Sequence, residues 1–163
     1  SEAELRKNIR EHMEEAAKNK EKGRQQDEIC EFLLGKTKLD VPESAVKEQA
    51  RNLTYEMARQ RMMSGMSQEQ IKAQSEDMFK EAQEKAVEQV KLRYIVMAIA
   101  DAESIKVEDQ EISDEVIRMA ISQRQDAAEY RKKLEKEGQL ESVGDQIRFG
   151  KTIEFLLGKA KIK

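Results

Sequence analysis

The clearest hydrophobic pattern in the chain runs from Glu76 to Ile105, where a one-sided apolar stripe changes into a run that is apolar on every side. The stripe residues recur every three or four positions, as on one face of a helix: Phe79, Ala82, Ala86 and Val90. The seven residues from Tyr94 to Ala100 leave no polar face, so a helix carrying them should need neighbours on all sides. A membrane-spanning helix needs ~20 consecutive apolar residues, so this seven-residue run is too short to cross a membrane. The pattern predicts a central core helix over 75–107.

The segment before it is predicted to contain one long helix, 1–34, and a helical hairpin, 42–74. Lys18 to Glu28 holds no large apolar residue and should be solvated, and Gly35 is an expected C-cap. In the hairpin, Pro42 suits a helix start, and Ser64 and Gly65 suit the turn. A capping box of Ser67 and Gln70 begins the return helix. The pattern leaves open whether that helix continues unbroken to Ile105 or restarts at Ser75.

After the central helix, three further helices are predicted. The first carries Ile112, Val116 and Met119, and the second carries Tyr130 and Leu134 and stops at Gly138; the last covers Leu140–Leu157. One repeat is present, because the nine residues from Glu31 to Leu39 recur with two changes as Glu154 to Ile162. We expect Phe32 and Phe155 to be core residues of two equivalent helix ends that pack beside the central apolar run.

Composition favours an all-α, elongated protein. Of the 163 residues, 39% are charged, 38% hydrophobic and 4% aromatic, which is too little apolar material for one thick core. The net charge of −3 comes without a clustered basic surface, so neither nucleic acid nor a membrane surface is an expected partner. The lone Cys30 cannot form an internal disulfide, and no signal-peptide pattern is present. These features favour a reducing, cytoplasmic location.

Four stretches of the chain resemble one known family. They are Leu39 to Ser44, Val90 to Val107, Lys136 to Ser142 and Phe155 to Ile162. In their order and spacing they are similar to the C-terminal domain of bacterial trigger factor, a ribosome-associated chaperone. The resemblance covers about Glu4 to Lys163. It implies a single helical chaperone domain over 1–163, a multi-helix body with protruding arms.

The resemblance also implies a role for each segment. The resemblance implies a linker helix at 1–34, a first arm at 42–74, a central helix at 75–107, a second arm at 108–137 and a closing helix at 139–163. The implied function is ATP-independent holding of unfolded or nascent polypeptides in a crevice between the arms. A ribosome contact, and the peptidyl-prolyl isomerase activity of a full trigger factor, would belong to domains that this chain does not contain.

Catalytic chemistry has little support in the sequence. His12 lies among charged residues, and Cys30 neighbours apolar ones, so we interpret the first as a bystander and the second as an inert core thiol. Glu108, Asp109 and Glu111 suit a helix start, where acidic side chains complement the helix dipole. We therefore expect no enzyme activity in this chain, no metal site and no cofactor.

Methionine is the residue type that points to a binding surface. Five of the eight methionines crowd around the hairpin, and a flexible thioether side chain suits a surface that accepts many apolar partners. The client-binding candidates are Leu53, Met57, Met62, Met63, Met66, Met78 and Phe79. Alternatively, the methionines fill gaps between the hairpin helices, and the chain is a structural spacer or dimerisation module without clients. Homodimerisation is left open.

Overall fold

A computed structural model of the chain describes residues 2–160. These residues form helices and no strand, which confirms the predicted all-α class. The helices are α1 (Glu2–Lys36), α2 (Glu43–Met63), α3 (Gln68–Ala73), α4 (Ser75–Ala102), α5 (Asp109–Ser122), α6 (Ala127–Lys136) and α7 (Leu140–Lys159).

The chain divides into two compact units. Residues 33–95 form one, which we call the hairpin unit, and residues 1–32 together with 96–163 form the other, which we call the terminal unit. The two boundaries fall inside α1 and α4.

The hairpin unit begins and turns where the local sequence predicts. Pro42 is the N-cap of α2, and Gly65 adopts a φ of 92° in the turn that follows this helix. Ser67 Oγ accepts a hydrogen bond from the Gln70 N–H at 3.3 Å, and Gln70 Oε1 accepts one from the Ser67 N–H at 3.0 Å, so the predicted capping box is confirmed. Gln74 separates α3 from α4, and the return helix therefore restarts at Ser75.

Small residues form the core of the hairpin unit. Ala50 of α2 packs with Ala82 and Ala86 of α4, and all three are fully buried. Larger, partly buried side chains surround this alanine cluster: Val46, Leu53, Met57 and Phe79. The apolar faces predicted for the first hairpin helix and for the start of the central helix therefore pack against each other.

The core of the terminal unit joins its last three helices. It consists of Val116, Ala120, Tyr130, Leu134 and Val143, supplied by α5, α6 and α7. The Asp126 carboxylate caps α6 by accepting hydrogen bonds from two backbone N–H groups, and Gly138, with a φ of 67°, follows the end of this helix as predicted. Gln123 donates a hydrogen bond to the Tyr130 hydroxyl at 3.0 Å, so this buried phenol has a partner.

Two basic side chains of α7 hold the connection between α4 and α5. Arg148 Nε donates to the Ile105 carbonyl at 2.8 Å, and Lys151 Nζ donates to the Lys106 carbonyl at 2.7 Å. Lys151 also contacts the Glu111 carboxylate at 2.7 Å. The Glu108 N–H and then Lys151 lower the pKa of Glu111, because both donate to its ionised form.

The predicted equivalence of the two repeated helix ends is wrong for Phe32, which is 63% exposed. Leu33 and Leu34 beside it are half-buried, so the inward face of α1 passes through these two residues and leaves Phe32 at its edge. Phe155 is half-buried, and the Lys159 ammonium lies 5.6 Å from its ring centroid. Lys161 and Ile162, which end the second copy, lie outside the described residues.

Two further expectations are corrected. Gly35 does not cap α1 with a positive φ, because the helix continues through it to Lys36. In the apolar run, Ile95, Val96 and Ala100 are buried, but Tyr94 and Ala98 are exposed, so the run does not have neighbours on every side. By contrast, 18–28 is helical and mostly exposed, as predicted.

Candidate functional site

The hairpin unit contains an open groove with a volume of about 620 Å³. Side chains of α2, α3 and the first turns of α4 line it. The lining residues are Arg51, Thr54, Tyr55, Ala58, Met62, Gln68, Glu69, Ile71, Lys72, Ser75, Met78 and Phe79. The groove is lined mainly by apolar surface.

One face of α2 forms a wall of the groove. Tyr55, Ala58 and Met62 are spaced by three and four residues, which brings them to one face of the helix. The small Ala58 lies between these two larger side chains in the lining. Ile71 of α3 and Phe79 of α4 supply apolar side chains from the other helices.

The groove has a buried floor and exposed walls. Met78 is 2% exposed, whereas Met62 is 50% and Tyr55 is 71% exposed. Apolar side chains in this position gain free energy when a partner removes them from water, at about 25 cal/mol per Å². The groove therefore attracts apolar groups.

The polar side chains of the lining are of two kinds: the Thr54 and Ser75 hydroxyls, and the exposed charged or amide side chains of Arg51, Gln68, Glu69 and Lys72. The Thr54 hydroxyl donates to the Ala50 carbonyl at 2.7 Å, and the Ser75 hydroxyl donates to the Lys72 carbonyl at 2.8 Å. These two hydroxyl protons are engaged by the protein's own backbone. The lining is mainly apolar and its charged and amide side chains are long and flexible, so the groove favours apolar ligands over ligands that require a fixed hydrogen-bond pattern.

The structure separates the predicted site residues into three groups. Met62, Met78 and Phe79 line the groove. Leu53 and Met57 pack on the alanine cluster, where they fill space between α2 and α4.

The other two candidates are at the turn between α2 and α3 and do not line the groove. Met63 is 79% exposed and Met66 is half-buried. Their predicted contact with clients is therefore separate from the groove, and for Met63 it is tested by the control variant proposed below.

Sequence reasoning missed Tyr55, Ala58 and Ile71. The signal for the first two was present, since they share the helical spacing of Met62. The prediction did not include them because it was based on the number of methionines near the hairpin and not on the apolar positions along this second face of α2. Ile71 is the one large apolar residue of the six-residue α3, so the sequence holds no helical period that indicates which way its side chain faces.

The residues considered for catalysis do not form a site. Burial, and then the charge of Asp27, raise the pKa of the half-buried Cys30, which disfavours a reactive thiolate. His12 lies on an exposed part of α1, and Glu108 is the N-cap of α5. Across 2–160, no group of three His, Cys, Asp or Glu side chains could hold a metal ion, and no helix is long and apolar enough to cross a membrane.

Comparison with known proteins identifies relatives along nearly the whole chain. The family described as "Bacterial trigger factor protein (TF) C-terminus" matches residues 2–158. Trigger factor of Pelotomaculum thermopropionicum is 29% identical over 163 residues, and that of Koribacter versatilis is 30% identical over 158 residues. These alignments cover 98% and 96% of this chain but 37% and 36% of the relatives.

A solved structure has a similar fold. It belongs to a study of the domains of trigger factor from Thermotoga maritima, and it matches with a TM-score of 0.62 at 15% sequence identity. The match covers 86% of this chain and 83% of that chain. At this identity the similarity concerns the fold alone.

Proposed function

The chain belongs to the family of bacterial trigger factor C-terminal domains, and from this premise we propose that it is an ATP-independent chaperone domain that holds unfolded or nascent polypeptides through apolar contacts. The observation that supports the proposal is the groove of the hairpin unit, whose exposed apolar walls are not covered by the rest of that unit. We assign client binding to this groove.

The chemistry of the groove fits a holding function with broad specificity. At about 0.8 kcal/mol per buried methylene, a client segment covering about ten methylene equivalents gains roughly 8 kcal/mol before the cost of association is subtracted. We therefore expect dissociation constants in the micromolar range or weaker. Release needs no nucleotide, because a complex of this affinity dissociates spontaneously.

The wider setting is part of the proposal. The chain spans about 37% of the length of its curated relatives. We propose that it works in the cytoplasm as one part of a longer trigger factor, and that ribosome docking and peptidyl-prolyl isomerisation reside in other domains of that protein. The chain itself then acts on polypeptides without catalysing a reaction.

One observation favours a second role, in dimerisation. Leu5, Ile9 and Met13 share one face of α1, and each is at least half exposed. A second copy could cover this stripe. Replacing all three by Ser would leave the sedimentation coefficient unchanged at high protein concentration if the chain is a monomer, and would lower it if this face dimerises.

Paired double variants test the proposed client site. Tyr55→Ser with Met62→Ser removes two exposed groove side chains, whereas Met63→Ser with Tyr94→Ser removes the same residue types at exposed positions outside the groove lining. The probe is fluorescently labelled, reduced and carboxymethylated lysozyme, which stays unfolded, and the readout is fluorescence anisotropy without nucleotide.

We expect the groove pair to weaken binding at least about fivefold and the control pair to change it less than about twofold. Circular dichroism verifies that both variants are folded. Equal loss in both pairs would show that binding is a general property of exposed apolar residues. No binding by the unaltered chain would refute the chaperone proposal.

A further inference from the structure

We propose that Met62 is an oxidation site at which a hydroperoxide weakens client binding in the groove. This inference rests on the proposed function, because it concerns how the same site is regulated. It adds a defined chemical modification at one named side chain.

Three methionines of the hairpin unit differ in the two properties that matter, access and position. Met62 is 50% exposed and lines the groove. Met78 also lines the groove but is 2% exposed, so an oxidant cannot reach its sulfur without local unfolding. Met63 is 79% exposed but does not line the groove. Among these three, Met62 alone combines an accessible thioether with a place on the binding surface.

The reaction is a two-electron oxygen transfer with hydrogen peroxide as the oxidant. A lone pair of the Met62 sulfur attacks one peroxide oxygen, the O–O bond breaks, and a sulfur–oxygen bond forms. The departing hydroxide takes up the proton released from the transferred hydroxyl, so one thioether and one peroxide give one sulfoxide and one water. Methionine sulfoxide reductases reverse the change.

The product changes the character of the groove wall. A sulfoxide oxygen is a strong hydrogen-bond acceptor, and a client segment that covers it removes that oxygen from water. The neighbouring Thr54 and Ser75 hydroxyls already donate to backbone carbonyls. An apolar client supplies no donor to replace the lost water, and the other donors of the groove, Arg51, Gln68 and Lys72, are exposed and must leave water to reach the oxygen. We therefore expect oxidation of Met62 to weaken binding by about fivefold or more.

The experiment compares three forms of the full chain: the unaltered protein, Met62→Leu and Met63→Leu. Each is treated with hydrogen peroxide for increasing times, and peptide mass spectrometry measures oxidation at every methionine. Binding to the labelled unfolded lysozyme is measured before and after treatment. Each variant is compared with its own untreated sample, so an effect of the substitution itself cancels.

We expect Met62 and Met63 to oxidise well before Met78. Oxidation should weaken binding at least about fivefold in the unaltered chain and in Met63→Leu, and less than about twofold in Met62→Leu, and the two reductases that act on the sulfoxide epimers should restore it. Equal loss in Met62→Leu, or undiminished binding once Met62 is oxidised, would overturn the inference. If the untreated chain does not bind the probe, the proposed function itself fails, which is a separate result.

Discussion

Replacing Leu134 by Ala should lower the free energy of unfolding of the terminal unit by about 3 kcal/mol. Leu134 is 3% exposed and packs with Val116, Ala120, Tyr130 and Val143. The substitution removes three carbon groups, about 2.4 kcal/mol at ~0.8 each, and the remaining cavity adds to this. The helix that carries the residue, α6, has ten residues and is too short to persist in water without its packing.

Two measurements test this prediction. Urea unfolding followed by circular dichroism gives the change in stability, and hydrogen exchange of the α6 amides shows whether protection is lost there first. Lys132→Ala is the matched control, because Lys132 is an exposed residue of the same helix. If Leu134→Ala changes stability by less than about 1 kcal/mol, or no more than Lys132→Ala, then the packing of α6 described above is wrong.

Three further predictions concern stability. Gly150→Ala should stabilise the protein against thermal unfolding by about 1 kcal/mol, since a Cβ at this position meets nothing within 4 Å. Gly138→Ala should destabilise the protein because φ at this residue is 67°. Stabilisation by both substitutions would contradict the helix end at Gly138. Phe32→Ala should lower the free energy of unfolding by less than about 1 kcal/mol because the ring is mostly exposed. A loss of about 3 kcal/mol would show instead that Phe32 is a core residue. The lowered pKa of Glu111 means that its ionised form contributes stability above the ordinary value of 4.5, and that this contribution disappears as pH falls through the folded-state pKa. The stability difference between the unaltered chain and Glu111→Gln, from urea unfolding at several pH values, should therefore shrink at acid pH, and a difference that grows there would refute the assignment.

The sequence was sufficient to predict most of the helices and their local signals, but it left open the break at Gln74 between α3 and α4. The Ser67 and Gln70 box, the turn at Gly65 and the stop at Gly138 depend on interactions within a few residues, so their chemistry is visible in the order of residues. The all-α class followed from helix-forming composition. The local rule that a glycine ends a helix failed at Gly35, since α1 continues through this residue to Lys36.

Packing direction was the part that the sequence could not supply. The repeat around Phe32 and Phe155 has the same residues in both copies at seven of nine positions, but the neighbours that decide burial come from other helices. Similarly, four of the seven predicted binding residues do not line the groove. Residue type identified the methionines, but the distinction between Met57 in the core, Met62 in the groove and Met63 in solvent depends on how α2 meets α3 and α4.

Site-specific photo-crosslinking tests the central proposal most directly. A benzophenone amino acid replaces Tyr55, an exposed aromatic residue inside the groove, or Tyr94, which is 48% exposed and outside the groove lining. Each protein is irradiated with labelled, reduced and carboxymethylated lysozyme in the absence of nucleotide. We predict that the crosslinked yield is several times higher from position 55 than from position 94, and that excess unlabelled unfolded chain competes it away. Equal yields, or a higher yield from position 94, would contradict the assignment of the groove as the client site.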